Sequence, residues 1–453
     1  MTRRKSRFLS PGTPVSQGTT VSRRALLRGG AAALGTAALG TTALGTTALG
    51  PATLGRLGAS AARADVGGTE RAPRRLVLVY ARGGWDTTYS IDPKPDVATI
   101  DGAPGVVRRF ADLEVHTAPS RPSVGRFFER WGEQTAVVHG IEVRSFVHRD
   151  CEKRVLTGTP RDDAPDVGAL TASCLGADRP IPYLVLGSTA RAGDLESLTG
   201  RVGLTNQLLA LADPAQAYPD FMGAPNVVPT SAEEALLAGF RAEREASFGA
   251  AAARRTATRR AEELRAARGR ADQLRQFIGE AGFGERALVA DPAAQLEVGI
   301  EALRRDFSQA VMVEIGSFDT HENNALQNNL HELLFASLDG LMGGLEDAGL
   351  SDETMVVVVS EMGRTPLLNP SGGKDHWPVA SAMIVGAGVR GGRTFGRTTS
   401  DFKSVRLDLE TGEESAAGAR IQTANFAAGV LEAAGVNAAT AFPGAVPLRA
   451  FHG

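Results

Sequence analysis

The chain has 453 residues, with 49 Lys and Arg against 51 Asp and Glu, for a formal net charge of −2. Nine of the basic residues and none of the acidic ones fall in residues 1–64, so the remaining 389 residues (453 − 64) carry 40 basic and 51 acidic groups, a net of −11. An acidic body without a concentrated basic stripe argues against nucleic acid as a partner, and two cysteines, Cys151 and Cys174, permit a disulfide without demanding one.

The N-terminus reads as an export signal. Ser22-Arg-Arg-Ala-Leu-Leu27 is a twin-arginine pattern, Gly-rich Ala-Leu-Gly-Thr repeats follow it, and Ala62-Arg-Ala64 offers a cleavage site. These features imply the twin-arginine export machinery as a partner, and a periplasmic, envelope or extracellular destination. The alternative is a membrane anchor, but the repeats hold many Gly and Thr, and a span needs about 20 predominantly apolar residues. No later run is apolar for long enough, so no stable transmembrane span is expected.

From residue 70 onward apolar runs alternate with amphipathic helical patterns, which predicts an α/β fold with a largely parallel central sheet flanked by helices. The predicted strands are Arg75–Ala81, Thr135–His139, Pro182–Leu186, Gln309–Ile315, Thr354–Ser360 and Ala380–Val385. Leu296, Ile300, Leu303 and Phe307 predict a helix over Ala294–Phe307, and Leu326, Leu330, Leu333, Leu334, Leu338 and Leu341 predict one over Asn324–Ala348. Residues 231–281 differ: after the capping pattern Ser231-Ala-Glu-Glu234 the segment is rich in Ala, Arg and Glu. It reads as a helical insertion, either solvated or closing over a site.

Chemistry-bearing residues collect just past the strand ends, where an open α/β sheet binds its ligands. Asp86 follows Gly83-Gly-Trp, Asp319 and His321 follow Val311–Ile315, Glu361 and Arg364 follow Met355–Val359, and Asp375 and His376 come shortly after. Clustered carboxylates repel unless a cation sits among them. Asp86, Asp319, His321, Glu361, Asp375 and His376 are therefore candidate ligands for one or two divalent ions, Zn, Mn or Ca, a mixed O/N set that does not decide between them. Asp86 and Asp319 also suit helix or turn caps, and Glu361 also suits an ion pair with Arg364. Arg364 suits a clamp on an anionic oxygen. Ser145, ahead of His148, is either a nucleophile or a helix cap. His148 can orient it, bind metal or pass a proton. His116, His331 and His452 read as ordinary surface or helix positions.

Taken together, the leader, Gly83-Gly-Trp-Asp86, His148…Thr157-Gly158, Phe318-Asp-Thr-His321, Ser360-Glu-Met-Gly-Arg-Thr-Pro366, Gly373-Lys-Asp-His-Trp377 and Gly386-Ala-Gly-Val-Arg-Gly-Gly392 resemble the bacterial domain-of-unknown-function family 1501 (DUF1501). That family is similar to the alkaline phosphatase and sulfatase superfamily. The resemblance implies an alkaline phosphatase-like fold over residues 70–453 and metal-assisted hydrolysis of a phosphate or sulfate ester. Catalysis would then fall to Ser145, His148 and Arg364, with a small anionic ester as substrate. Where the superfamily has Ser/Thr-Asp-His this chain has Ser360-Glu361-Met362, and Met362 cannot replace a His ligand to a hard metal. The family's Ser directly before the His is here Val147, and its Asp near the C-terminus is here Asn425. These departures keep a second reading open: a non-catalytic exported scaffold that binds an envelope polymer or a partner protein.

Overall fold

The computed structural model describes residues 74–95, 97–202, 230–251, 269, 273 and 291–453. The expected leader lies outside the described residues, as does most of 252–281 in the expected insertion.

Twelve strands occur among the described residues: β1 Arg75–Ala81, β2 Val106–Phe110, β3 Leu113–Thr117, β4 Thr135–Glu142, β5 Tyr183–Leu186, β6 Thr199–Val202, β7 Ala310–Ile315, β8 Thr354–Val359, β9 Gly363–Arg364, β10 His376–Trp377, β11 Val379–Gly386 and β12 Arg393–Phe395. Eight form the central sheet in the order β12-β4-β11-β8-β1-β7-β5-β6. Its pairings are parallel except those of β11, which runs antiparallel to both β8 and β4. The fold is therefore the largely parallel α/β sheet expected, with one reversed strand. The six predicted strands lie within a residue or two of observed ones, except that β4 continues to Glu142.

The apolar content of β1 explains its central place. Leu76 to Ala81 are all buried, and alternate side chains serve opposite faces. Val77 and Val79 join the core on one side, while Leu76, Leu78 and Tyr80 join the other. Each such side chain contributes roughly 1.5–3 kcal/mol by leaving water.

Among the described residues the α-helices are α1 Pro122–Trp131, α2 His148–Thr157, α3 Val167–Leu175, α4 Ser231–Ala251, α5 Pro292–Arg304, α6 Gln327–Asp347 and α7 Thr423–Ala433. The 324–348 prediction is α6, whose buried face uses Leu334, Leu338 and Leu341 together with His331 and Phe335, while Leu326 and Leu333 are exposed. His331 was expected at an ordinary surface or helix position. It does lie in a helix, but it is wholly buried, with its ring stacked on Trp85 and on Tyr89 and Phe318 and Phe335 around it. The expected cap of α4 moves back one residue. Thr230 Oγ1 accepts from Glu233 N at 3.4 Å, and Glu233 Oε2 accepts from Thr230 N at 2.8 Å. Both cysteines are free thiols, Cys151 buried in α2 and Cys174 half-buried in α3. No helix among the described residues is long and apolar enough to cross a membrane.

Candidate metal centre

The tips of β1, β7 and β8 are adjacent in the sheet, and each is followed by a turn that releases a polar side chain. Gly83 makes the closest approach possible. Its φ is +112°, and a Cβ there would stand 2.5 Å from Asp319 N and 2.6 Å from Phe318 N. Ser360 ties the β8 tip to β1, accepting from Gly84 N at 3.0 Å and Trp85 N at 3.2 Å and donating to Ala81 O at 2.6 Å. Gly373 lets the loop before β10 lie on the backbone of His321, where a Cβ would meet the carbonyl carbon at 2.0 Å.

This scaffold gathers four side chains, His148, Asp319, His321 and His376, whose ligand atoms all lie within 4.8 Å of one another. His321 Nε2 stands 2.9 Å from His376 Nε2 and 3.0 Å from Asp319 Oδ1. His376 Nε2 is 3.3 Å from that same oxygen, and His148 Nε2 is 3.2 Å from Asp319 Oδ2. The group is open to solvent on one side: Asp319 and His148 are each 37% exposed and His321 41%. His148 is the first residue of α2, so a helix arriving from β4 completes a group otherwise drawn from β7 and β10.

The far nitrogen of every imidazole is held. His148 Nδ1 lies 2.8 Å from Glu361 Oε1, His321 Nδ1 lies 2.9 Å from Asp375 Oδ1, and His376 Nδ1 lies 2.6 Å from Phe146 O. This is how metal-ligating histidines are oriented, with the outer N–H given to a carboxylate or carbonyl and the other nitrogen turned inward.

Glu361 and Asp375 therefore stand one layer outside the four, where the sequence suggested ligands. Glu361 is 1% exposed and also accepts from Gly83 N at 2.9 Å. Burial pushes its carboxyl up, but the His148 ring and the backbone donors outweigh burial and hold it below the usual range. Asp86 is apart from the four as well. It caps the turn Thr87–Tyr89, accepting from Thr88 N and Oγ1 and from Asn324 Nδ2, and its Oδ2 lies 2.8 Å from Lys374 Nζ. Its carboxyl is also low, because Lys374 and these donors outweigh burial. Sequence reasoning had no partner for Asp86, and the buried Lys374 in the Lys374-Asp-His376 run was its signal.

Arg364 was expected to clamp an anion. Its side chain is fully enclosed and its donors go inward: Nε to Gly84 O at 2.7 Å, Nη1 to Lys374 O at 3.0 Å, and Nη2 to Gly83 O and to Asp319 Oδ1, the latter at 2.7 Å. Burial would raise the Asp319 carboxyl, but the Arg364 hydrogen bond and charge, followed by His148 and His321, bring it down to about 2. Ser145 is not the cap residue of α2, which is Val147. Its hydroxyl accepts from Val147 N at 3.4 Å and lies beside Asp150 and Cys151. Met362 is buried against Gly84 and offers no ligand to the group.

An α/β sheet thus presents a three-histidine, one-carboxylate group at the carboxyl ends of its strands. The family model "Protein of unknown function (DUF1501)" matches residues 73–445, and the chain belongs to that family. Comparison with curated proteins found no match. Among solved structures, a protein in the alkaline phosphatase superfamily from Vibrio parahaemolyticus is similar at 11% identity and TM-score 0.35, over 83% of this chain and 70% of that one. The lipoteichoic acid synthase LtaP from Listeria monocytogenes gives 10%, 0.36, 83% and 74%. The PsFucS1 sulfatase from Pseudoalteromonas sp. gives 10%, 0.35, 83% and 71%.

Proposed function

We propose that the protein is an exported hydrolase of phosphate or sulfate esters that works with one zinc ion, held by His148, Asp319, His321 and His376. The observation that carries this reading is the convergence of three Nε2 atoms on one carboxylate while each Nδ1 is anchored. With both Nδ1 atoms turned to acceptors, rings that keep their proton on Nδ1 point two Nε2 lone pairs at each other across 2.9 Å, a contact that a shared ion or a proton relieves. Donors at about 2.0–2.1 Å from a tetrahedral ion stand roughly 3.3–3.4 Å apart; the contacts to the two Asp319 oxygens and between His321 and His376 run 2.9–3.3 Å, and the four ligand atoms lie within 4.8 Å of one another, so the group would close somewhat around a single ion. Three imidazoles favour zinc over calcium or manganese, which prefer oxygen.

A divalent ion at this position supplies a Lewis acid that polarises an ester oxygen and lowers the pKa of water. The chain's own residues do the positioning. Arg364 fixes Asp319 through Oδ1, while Oδ2 faces His148 Nε2. Glu361, Asp375 and the Phe146 carbonyl fix the three rings. In this reading Arg364 holds the site rather than the substrate, and Ser145 belongs to the start of α2 rather than to the chemistry. The enclosure of Arg364 and the engagement of the Ser145 hydroxyl with Val147 N, Asp150 and Cys151 favour a second reading, the non-catalytic metal-bearing scaffold that binds an envelope polymer or partner. Export rests on the twin-arginine pattern at Ser22–Leu27 and the Ala62-Arg-Ala64 site.

The test is elemental analysis of the full-length protein beside His321→Ala, with hydrolysis of p-nitrophenyl phosphate and p-nitrophenyl sulfate on both. Zinc lost together with hydrolysis in the variant is the expected result. Zinc without hydrolysis of either ester, or of any wider ester set, would select the scaffold, and no zinc after reconstitution would sink both.

A further inference from the structure

We infer that Arg149 is the residue that grips the anionic group of the substrate, taking oxygens that an ion at His148, Asp319, His321 and His376 leaves free. The inference rests on the metal reading above for where the anion lies, and it gives that site the clamp that Arg364 does not provide.

Arg149 directly follows His148 in the first turn of α2. That end of the helix stands at the metal group. His148 Nε2 is 3.2 Å from Asp319 Oδ2, and the carbonyl of Phe146, just ahead of the helix, lies 2.6 Å from His376 Nδ1. Side chains on a helix lean toward its N-terminus, so Arg149 leans toward the metal end of α2. Glu152, one turn further along the same side of the helix, shows what that side faces. Burial raises its carboxyl and Arg191 lowers it, and the charges of Glu361 and Arg82, just past the ends of β8 and β1, also act on it. The other basic side chains around Arg149 are already paired: Arg82 with Glu314, Arg144 with Glu142, Lys153 with Asp150 and Asp162, Arg154 with Asp150, and Arg191 with Glu152. Arg149 is exposed, and its guanidinium makes no hydrogen bond or ion pair among the described residues; only its carbonyl is used, by Arg191 Nη2 at 3.5 Å. Asp162 feels its charge but is held by Lys153 at 2.9 Å. The half-open group and this unpaired guanidinium thus occupy one end of one helix. A tetrahedral ester that meets a single ion through one oxygen keeps others to offer, and the planar fork of a guanidinium matches two of them.

The experiment titrates inorganic phosphate and sulfate into the zinc-loaded full-length protein by calorimetry, beside turnover of p-nitrophenyl phosphate and p-nitrophenyl sulfate. Arg149→Ala should weaken anion binding roughly tenfold or more and raise KM, with zinc content and Tm unchanged. Arg149→Lys keeps the charge without the fork and should recover part of the affinity. Arg144→Ala removes the same charge from a guanidinium tied to Glu142, and should bind anions as the wild type does. An Arg149→Ala protein that binds both anions like the wild type, an equal loss in Arg144→Ala, or a wild type that takes up neither anion overturns the inference. Zinc and Arg149-dependent anion binding without hydrolysis would defeat the hydrolase reading and uphold the grip. Absence of zinc would defeat the metal reading, and the same titration on the metal-free protein would then decide the role of Arg149.

Discussion

Two polar assemblies lie at one edge of the sheet, and they solve the same electrostatic problem in opposite ways. The Asp319 group is half open, and its carboxylate faces three imidazoles, which in the proposed reading hold an ion taken from solution. The Asp86 group is sealed, and its carboxylate faces an ammonium that is part of the chain. In the proposed reading, a carboxylate at a strand tip serves as a metal ligand only where the neighbouring segments leave the cation to be supplied from outside. The two groups should therefore break differently.

The sealed group should be the more costly to damage. Asp86→Ala leaves Lys374 charged and enclosed with no counter-charge, and losing one partner of a buried pair costs about 3–5 kcal/mol. Urea unfolding should show that loss, and most of it should return when Lys374→Met is added. A protein indifferent to Asp86→Ala would mean the pair is solvated and the contrast false. The open group should break in ion affinity instead. Structural zinc binding of about 10–16 kcal/mol spread over four ligands gives roughly 3 kcal/mol each, so His321→Ala should weaken zinc on the order of 100-fold in chelator competition. Its unfolding without metal should change little, since His321 is 41% exposed.

Much of this contrast was legible in the sequence, and what was not has a physical reason. The strands were readable because parallel strands buried on both faces are continuous apolar runs. Asp319, His321 and His376 were readable as ligand types just past such runs. What could not be read was which carboxylate meets which cation. Lys374, Asp375 and His376 are consecutive, yet they go to Asp86, to His321 Nδ1 and to the metal group respectively. Only the path of the loop through Gly372 and Gly373 decides that. His148 was open between three roles because nothing local shows that the first residue of a helix will reach β7. The hairpin of β2 and β3 and the helices α1, α3 and α7 were not predicted at all, and β2 shows why: four of its five residues are exposed, so it carries no buried pattern to detect.

His331 extends the comparison to a histidine with neither metal nor ion partner. Burial, helped by the charge of Arg121, lowers its pKa to about 3 from the ordinary 6.5. The sign follows from where the proton goes. Below pH 6.5 the unfolded chain takes up a proton that the folded ring refuses, so stability is intact above that pH and is lost as pH falls toward 3. At about pH 5 the loss attributable to this ring is about 2 kcal/mol, nearly independent of how far below 4 the folded value lies. Denaturant unfolding at about pH 7 and pH 5 should show a smaller drop for His331→Phe than for the wild type. Equal drops in the two proteins would mean that the buried ring is protonated without penalty.

The smallest effect separates a ligand from the group behind it. Asp375 touches only the outer nitrogen of His321, is 57% exposed, and shares its Oδ1 with Asn369 Nδ2 at 3.1 Å. Asp375→Asn keeps an oxygen for that nitrogen but removes the charge that makes the inner nitrogen more basic. Changes to such supporting groups typically cost 10–100-fold in metal affinity, and the solvent around Asp375 places it at about tenfold. The number of ions bound at saturation should stay the same, because no donor to the ion has been removed. Chelator competition measures the affinity and elemental analysis the count. A fall in the count itself would put Asp375 among the ligands, make the group five-membered, and undo the division between donors and supports on which the zinc reading stands.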